Sequence, residues 1–180
     1  MQTLNNVLIF AIDPGTDFSG FCIAFGSDLK PLKQGKIQNS ELYSEIQQAK
    51  LQAKCSRVRL HVVIEMIASY GMPVGREVFD TCVWIGRLAQ YAEDLGAAVD
   101  FIYRQEEKQS ICHSSKANDA TIKRALIDRF AYKVPNKGKG TKKEPGWFYG
   151  FKADAWQAYA VLVTFAEKQS SYKSQIRNYE

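Results

Sequence analysis

The stretch Val7-Leu8-Ile9-Phe10-Ala11-Ile12-Asp13-Pro14-Gly15-Thr16-Asp17-Phe18-Ser19-Gly20 decides the reading of the fold. Val7 to Ile12 is an unbroken apolar run, too short for a typical helix and stopped by turn residues, which predicts a buried strand. It ends in a carboxylate, Asp13. Pro14-Gly15-Thr16 then predicts a turn, and Gly20 to Phe25 a second strand. A third short strand around Lys33 to Ile37 completes an antiparallel meander.

Further along, the pattern alternates. Asn39-Ser40-Glu41 starts a helix in which Leu42, Ile46 and Leu51 fall near helical spacing, ending near Cys55. Leu60 to Ile64 is another apolar run that stops at a carboxylate, Glu65. After the Gly- and Pro-containing loop at 69–73, Val78, Cys82, Ile85 and Ala89 mark a helix from Gly75 to Asp94, stopped by Gly96. Ala98 to Tyr103 predicts a fifth strand, followed by a short segment from Glu106 to Cys112 and helices over 118–130 and 152–167. Strands that first arrive without helices and then through helical crossovers imply an α/β domain with a five-stranded mixed sheet and helices on both faces. The expected organisation is one domain over 1–168, with a flexible basic loop at 133–148 and a polar C-terminal tail at 169–180.

Composition narrows the function classes. A hydrophobic share of 46% with 24% charged residues excludes a disordered or collagen-like chain. The 24 Lys+Arg against 19 Asp+Glu give +5, a mild excess that favours a polyanionic partner. Cys22, Cys55, Cys82 and Cys112 are too scattered for a zinc site or a disulfide framework, and reduced, mostly buried thiols are expected. No leader pattern and no apolar run of about 18 residues is present, so the expected setting is cytoplasmic and away from membranes.

The chemistry is carried by carboxylates. If the strands ending at Asp13 and Glu65 are parallel neighbours, both acids emerge at the sheet edge where open α/β sheets bind ligands. Asp154, at the start of the last helix, could join them. Clustered carboxylates repel one another unless a divalent cation lies between them, and hard oxygen donors suit Mg2+ or Mn2+. Two such ions can drive phosphodiester hydrolysis. The plain alternative for each acid is a strand end or a helix cap.

The segment from Ala11 to Gly20 resembles the opening strand and turn of RuvC-like Holliday junction resolvases, enzymes of the ribonuclease H fold. Val62-Val63-Ile64-Glu65 resembles that family's second catalytic strand, and Ile85-Gly86-Arg87-Leu88 its long helix. Lys108-Gln109-Ser110-Ile111 with Lys116-Ala117-Asn118-Asp119 resembles its Lys-containing segment, and Ala153 to Ala160 its C-terminal catalytic helix. The likeness spans nearly the whole chain and is greatest to divergent, phage-type members.

The resemblance implies a metal-dependent endonuclease acting on branched DNA, with Asp13, Glu65 and Asp154 as catalytic metal ligands for Mg2+ or Mn2+, two ions being expected. The family's final helix places a second acid where this chain has Gln157, a departure from the pattern. Asp119 is the substitute considered, against the simpler role of a first-turn Asp favoured by the helix dipole. His113 is a further polar group near that segment. The resemblance also implies DNA contacts at Lys108, Lys116 and Arg76, with Arg87 beside them. Tyr70 and Met72 would approach the junction centre, and the lysines at 133, 137, 139, 142 and 143 would follow a backbone arm. Such contacts position DNA without reading its sequence. A homodimer through the long helix, using Val78, Val83 and Trp84, is implied.

Three other readings stand beside this one. A catalytically weakened junction binder is suggested by Gln157. A sugar-kinase or actin-like ATPase shares the Asp-x-Gly-Thr turn but needs a second domain. An RNA-binding module lacks its stacking motif.

Overall fold

The computed structural model describes residues 4–69, 71 and 73–177, with backbone alone for 153 and 171–177. Five strands form one mixed sheet: β1 (Val7–Asp13), β2 (Phe18–Phe25), β3 (Pro31–Gln38), β4 (Arg59–Met66) and β5 (Ala98–Tyr103). Their spatial order is β3-β2-β1-β4-β5. The meander β1–β2–β3 is antiparallel, while β4 runs parallel to both β1 and β5. The helices are α1 (Leu42–Cys55), α2 (Arg76–Asp94), α3 (Arg104–Cys112), α4 (Asp119–Phe130) and α5 (Ala153–Arg177).

Each face of the sheet has its own core, as the alternation of strand side chains requires. Leu8, Phe10 and Ile12 of β1, with Leu60, Val62 and Ile64 of β4, meet Leu42 and Ile46 of α1 and Ile85 and Leu88 of α2. Val7, Ile9 and Ala11, with Val63 and Ile102, meet α4 and α5 on the other face. Both central strands are therefore largely apolar on both sides, which is why their sequences read as hydrophobic runs, interrupted in β4 by His61. The first half of α5 is buried almost all round, from Ala158 to Ala166. A helix with that pattern is a core element, covered on every side.

Three sequence expectations need correction. The final helix does not stop at Glu167 but runs to Arg177, so the segment from 169 begins as helix. The basic loop is built rather than flexible. A 3-10 turn at Pro135–Gly138 leads to a bridge between Gly140 and Pro145. Phe148 is fully buried, and Trp147 stacks on Phe130 at 5.1 Å and donates to the Tyr159 hydroxyl at 3.0 Å. The lysine count of the segment hid its aromatic anchor. Of the four free cysteines only Cys22 is buried; Cys55 is exposed, and Cys82 and Cys112 are half-buried.

The turn after β1 is held by a buried polar knot. Ser19 Oγ donates to Asn39 Oδ1 at 2.6 Å, and Asn39 Nδ2 donates to the carbonyls of Gly15 and Thr16 at 2.8 and 3.1 Å. Next to it, Gly20 pairs with Asp13 on one side and with Lys36 on the other. A Cβ on Gly20 would lie 2.4 Å from the backbone carbonyl oxygen of Asp154. The missing side chain is what lets the first turn of α5 settle onto β2.

Gly20→Ala is therefore expected to destabilise the fold by about 1–3 kcal/mol, the usual range for forcing a methyl into a packed contact. A urea unfolding curve checks this; a midpoint matching that of the unsubstituted chain would mean α5 is free to retreat.

Candidate active site

The register of the sheet assembles the site. Ile12 lies opposite Ile64, so Asp13 and Glu65, the next residues of two parallel neighbours, leave the sheet side by side. Both share the parity of Ala11 and Val63, which face α5. Asp154, in the first turn of α5, comes down over Gly20 beside them. The structure thus sets Asp13 and Glu65 side by side, with the backbone of Asp154 over Gly20 next to them.

Their electrostatics follow from crowding. Burial, reinforced by the neighbouring Glu65 and Asp154, pushes the Asp13 carboxyl up from 3.8 to about 8. The interaction between the Asp13 and Glu65 carboxyls raises the first and lowers the second. Glu65 is also raised, chiefly by burial, while the hydrogen bond from Asp13 and the charge of Arg104 restrain the shift. A half-buried pair of neighbouring carboxyls, both raised, is a site short of positive charge.

Two cations stand at its flanks, and neither figured in the sequence reading. Lys36 of β3 pairs with Asp154 at 2.8 Å, and Asp154 raises its pKa. Arg104, the residue after β5, pairs with Glu107 and with Asp119, and donates to Gln157 Oε1 at 3.2 Å. Burial opposes the charge on Arg104, but Glu107, Glu65 and Asp119 outweigh burial and raise its pKa. Glu107 is fully buried, and its Oε1 has no hydrogen-bond partner. Burial and the nearby Glu65 push its carboxyl up to about 9, against the pull of Arg104. One signal in the sequence pointed here. Arg104 directly follows a strand, next to the strand that ends in Glu65, just as Asp13 and Glu65 close theirs.

The remaining expected residues are spread around this centre. Asp119 begins α4 and reaches the centre only through Arg104; the helix cap is Asn118, whose side chain accepts from the Thr121 amide. Lys108 is half-buried on α3 and Lys116 is exposed before α4. Arg76 is exposed at the start of α2, 3.4 Å from Asp80. Lys137, Lys139 and Lys142 are exposed on the loop before α5. That loop docks on β3, where Gln34 Nε2 donates to the Tyr149 carbonyl at 3.1 Å. Among the described residues, none of these cations forms an ion pair with the carboxylates of the centre. Tyr70 and Met72 lie outside the described residues.

The donor set suits a hard divalent cation in its chemistry: Asp13, Glu65, Asp154 and the amide oxygen of Gln157 are all oxygen ligands. The crowding of Asp13 against Glu65 and Asp154, which raises the Asp13 carboxyl, is what an added positive charge would relieve. The present arrangement is not a closed coordination shell, since among the described residues no three acidic, His or Cys side chains converge on one ion position. Asp154 is turned to Lys36 instead.

Comparison with protein-family models and with curated proteins gives no match. Solved structures do match. Thermus thermophilus RuvC in complex with a Holliday junction substrate is 15% identical, with a TM-score of 0.57, over 88% of this chain and 91% of that one. A second T. thermophilus RuvC structure is also 15% identical with a TM-score of 0.57, over 87% and 92%. The chain has a RuvC-like, ribonuclease H-like fold. Among the described residues no helix is long and apolar enough to cross a membrane.

A folded chain free of metal keeps a proton on Asp13 that the unfolded chain releases near pH 4, so folding stability falls as pH rises between about 4 and about 8. Glu107 adds a slope of the same sign. In chelator, the melting temperature is expected to drop from pH 5 to pH 8. Asp13→Asn should flatten that drop and raise the pH 8 value by roughly 3–6 °C, on the order of 1–2 kcal/mol. Circular dichroism melts across the pH series measure it; an unchanged slope in the variant would mean Asp13 ionises freely.

Proposed function

We propose that this chain is a metal-dependent endonuclease that hydrolyses phosphodiesters in branched DNA, with four-way junctions as its principal substrate. The observation that carries the reading is the placement of Asp13 and Glu65 side by side on parallel neighbouring strands, with the first turn of α5, which bears Asp154, set over Gly20 beside them. The likeness in fold to a RuvC bound to a Holliday junction substrate supports the choice of DNA.

In this reading Asp13, Glu65 and Asp154 hold magnesium or manganese, which would polarise the scissile phosphate and supply a nucleophilic water at neutral pH. Asp13 would have to be ionised to serve as a ligand, so metal binding would be coupled to proton release. To serve as a ligand Asp154 would have to leave Lys36, which would free Lys36 to meet a phosphate. Lys108, Lys116, Arg76 and the lysines at 137, 139 and 142 track the sugar–phosphate backbone and set the register of the substrate. Their role is electrostatic, so affinity falls with salt. Tyr70 stacks on an unpaired base at the branch point. Two copies of the chain act together through the exposed Phe79 and Val83 on α2, so that paired strands are cut.

A second reading has its own observation. Gln157 stands at a position where the resembling family has an acid, and its amide oxygen is occupied by Arg104. A centre weakened in this way would bind junctions and leave them whole.

Cleavage of a labelled four-way junction beside a linear duplex, in magnesium, manganese or chelator, separates the two. Paired cuts in the junction alone are expected, lost in chelator and reduced on the order of 10²–10³-fold or more by Asp13→Asn, with binding retained. Binding without cuts in either metal would support the weakened binder, and cutting of duplex and junction alike would sink junction selectivity. Replacing Lys137, Lys139 and Lys142 together with Ala should weaken junction binding at every sequence and reduce its salt dependence by up to three charges' worth. An unchanged salt slope in a filter-binding titration would remove the loop from the DNA path.

A further inference from the structure

Arg104 is held in two unequal ways. It begins α3 directly after β5, two residues beyond Ile102, which pairs with Glu65, so it stands at the sheet edge that carries Asp13 and Glu65. Its Nη1 donates to Glu107 and, at 3.2 Å, to Gln157 Oε1, while its Nη2 donates to Asp119. The Glu107 side chain is completely buried, and Arg104 is its one ion-pair partner among the described residues. The Asp119 side chain is 72% exposed. A buried carboxylate stripped of its cation is strongly unfavourable, so the first contact is an anchor. An exposed ion pair contributes little and opens readily. Arg104 is thus fixed through one nitrogen and presents the other to a partner that can leave.

What takes the place of Asp119 must be an anion that offers paired oxygens to a guanidinium. The non-bridging oxygens of a phosphodiester do this as a carboxylate does. The exchange is even in charge: one negative group leaves, another arrives, and the buried Glu107 is untouched. The surroundings favour the newcomer. Lys116 lies three residues before Asp119, and Lys123 lies one turn after it on α4, with its Nζ 5.0 Å from the centre of the Trp156 ring, next to Gln157. Both lysines are exposed, and among the described residues neither forms an ion pair. Gln157 contributes by being neutral. An acid there would be a further competitor for the guanidinium, whereas the amide oxygen steadies it without adding charge.

We infer that Arg104 is a phosphate-binding residue of the site, and that Asp119 occupies in the free chain the place that a substrate phosphate takes. Glu107 and Gln157 are positioning residues that hold the guanidinium at the sheet edge. The inference rests on the proposed action on DNA and names the group that receives a backbone phosphate beside Asp13 and Glu65. Asp119, considered from the sequence as a substitute acid, is then an internal competitor of the substrate.

The test is a mutant cycle read by fluorescence anisotropy of a labelled four-way junction and a linear duplex, in chelator and in magnesium. Asp119→Asn is expected to tighten binding about five-fold, the scale of an exposed ion pair that no longer competes. In the background Arg104→Gln/Glu107→Gln, which removes both charges of the buried pair together, binding is weaker and the gain from Asp119→Asn disappears. Arg104→Lys keeps the charge but loses the fork, so most of the gain is lost there too, and this background serves if the neutral pair fails to fold. An equal gain in every background would mean that Asp119 merely repels DNA, and no gain in any would mean that Arg104 meets no phosphate. Either result overturns the inference and leaves the nuclease reading standing. If the unsubstituted chain binds neither junction nor duplex in either condition, the DNA reading falls and the inference with it.

Discussion

The parallel pairing of β1 with β4 is the constraint on which the rest depends. It sets two carboxyl groups side by side, where like charges repel and water is scarce. Nothing local favours that arrangement. It is imposed by two apolar cores that clamp the strands from both faces, so burial of residues such as Phe10, Ile12, Val63 and Ile64 outweighs the repulsion at their ends. The site is a small unfavourable region held by a large favourable one, a common arrangement where function needs perturbed groups.

The same clamp explains what surrounds the carboxylates. Gly20 removes a side chain where α5 must approach, and Ser19 with Asn39 locks the turn that carries the chain away from Asp13. Lys36 and Arg104 then approach from opposite sides, one on the meander and one after the last strand. Positive charge is delivered by the edges of the sheet and negative charge by its centre. Exposure divides the two: the Lys36 pair is open to solvent and therefore exchangeable, while the Arg104 pair is covered and holds its geometry.

Much of this was legible before any coordinates. An unbroken apolar run at 7–12 and a run at 60–64 interrupted only by His61 announced central strands because a strand buried on both faces has little polar alternation to confuse the reading. The carboxylates stood out because each closed such a run. What escaped were features whose meaning is tertiary. Glu107 lies on a polar-looking short helix and gives no sign of being buried. Arg104 is one basic residue among 24 Lys+Arg. The loop before α5 was misjudged because its lysines dominate the composition, while its fold depends on Trp147, Phe148 and closely packed glycines such as Gly140, whose φ is +67°. Tyr70, which the sequence singled out, lies outside the described residues.

The position of α5 in chain order has a consequence for synthesis. This helix fills one whole face of the sheet and brings Asp154, yet it follows every strand and every other helix. While a ribosome is still adding residues before 153, the emerging chain has its meander and both parallel strands but leaves Val7, Ile9, Ala11 and Val63 uncovered. It also lacks Asp154. Such a nascent chain exposes a sticky apolar sheet until α5 docks. Completion of the core and delivery of Asp154 to the carboxylate edge are one event, and a chain that stops before α5 lacks that acid for the same reason that it is prone to aggregate.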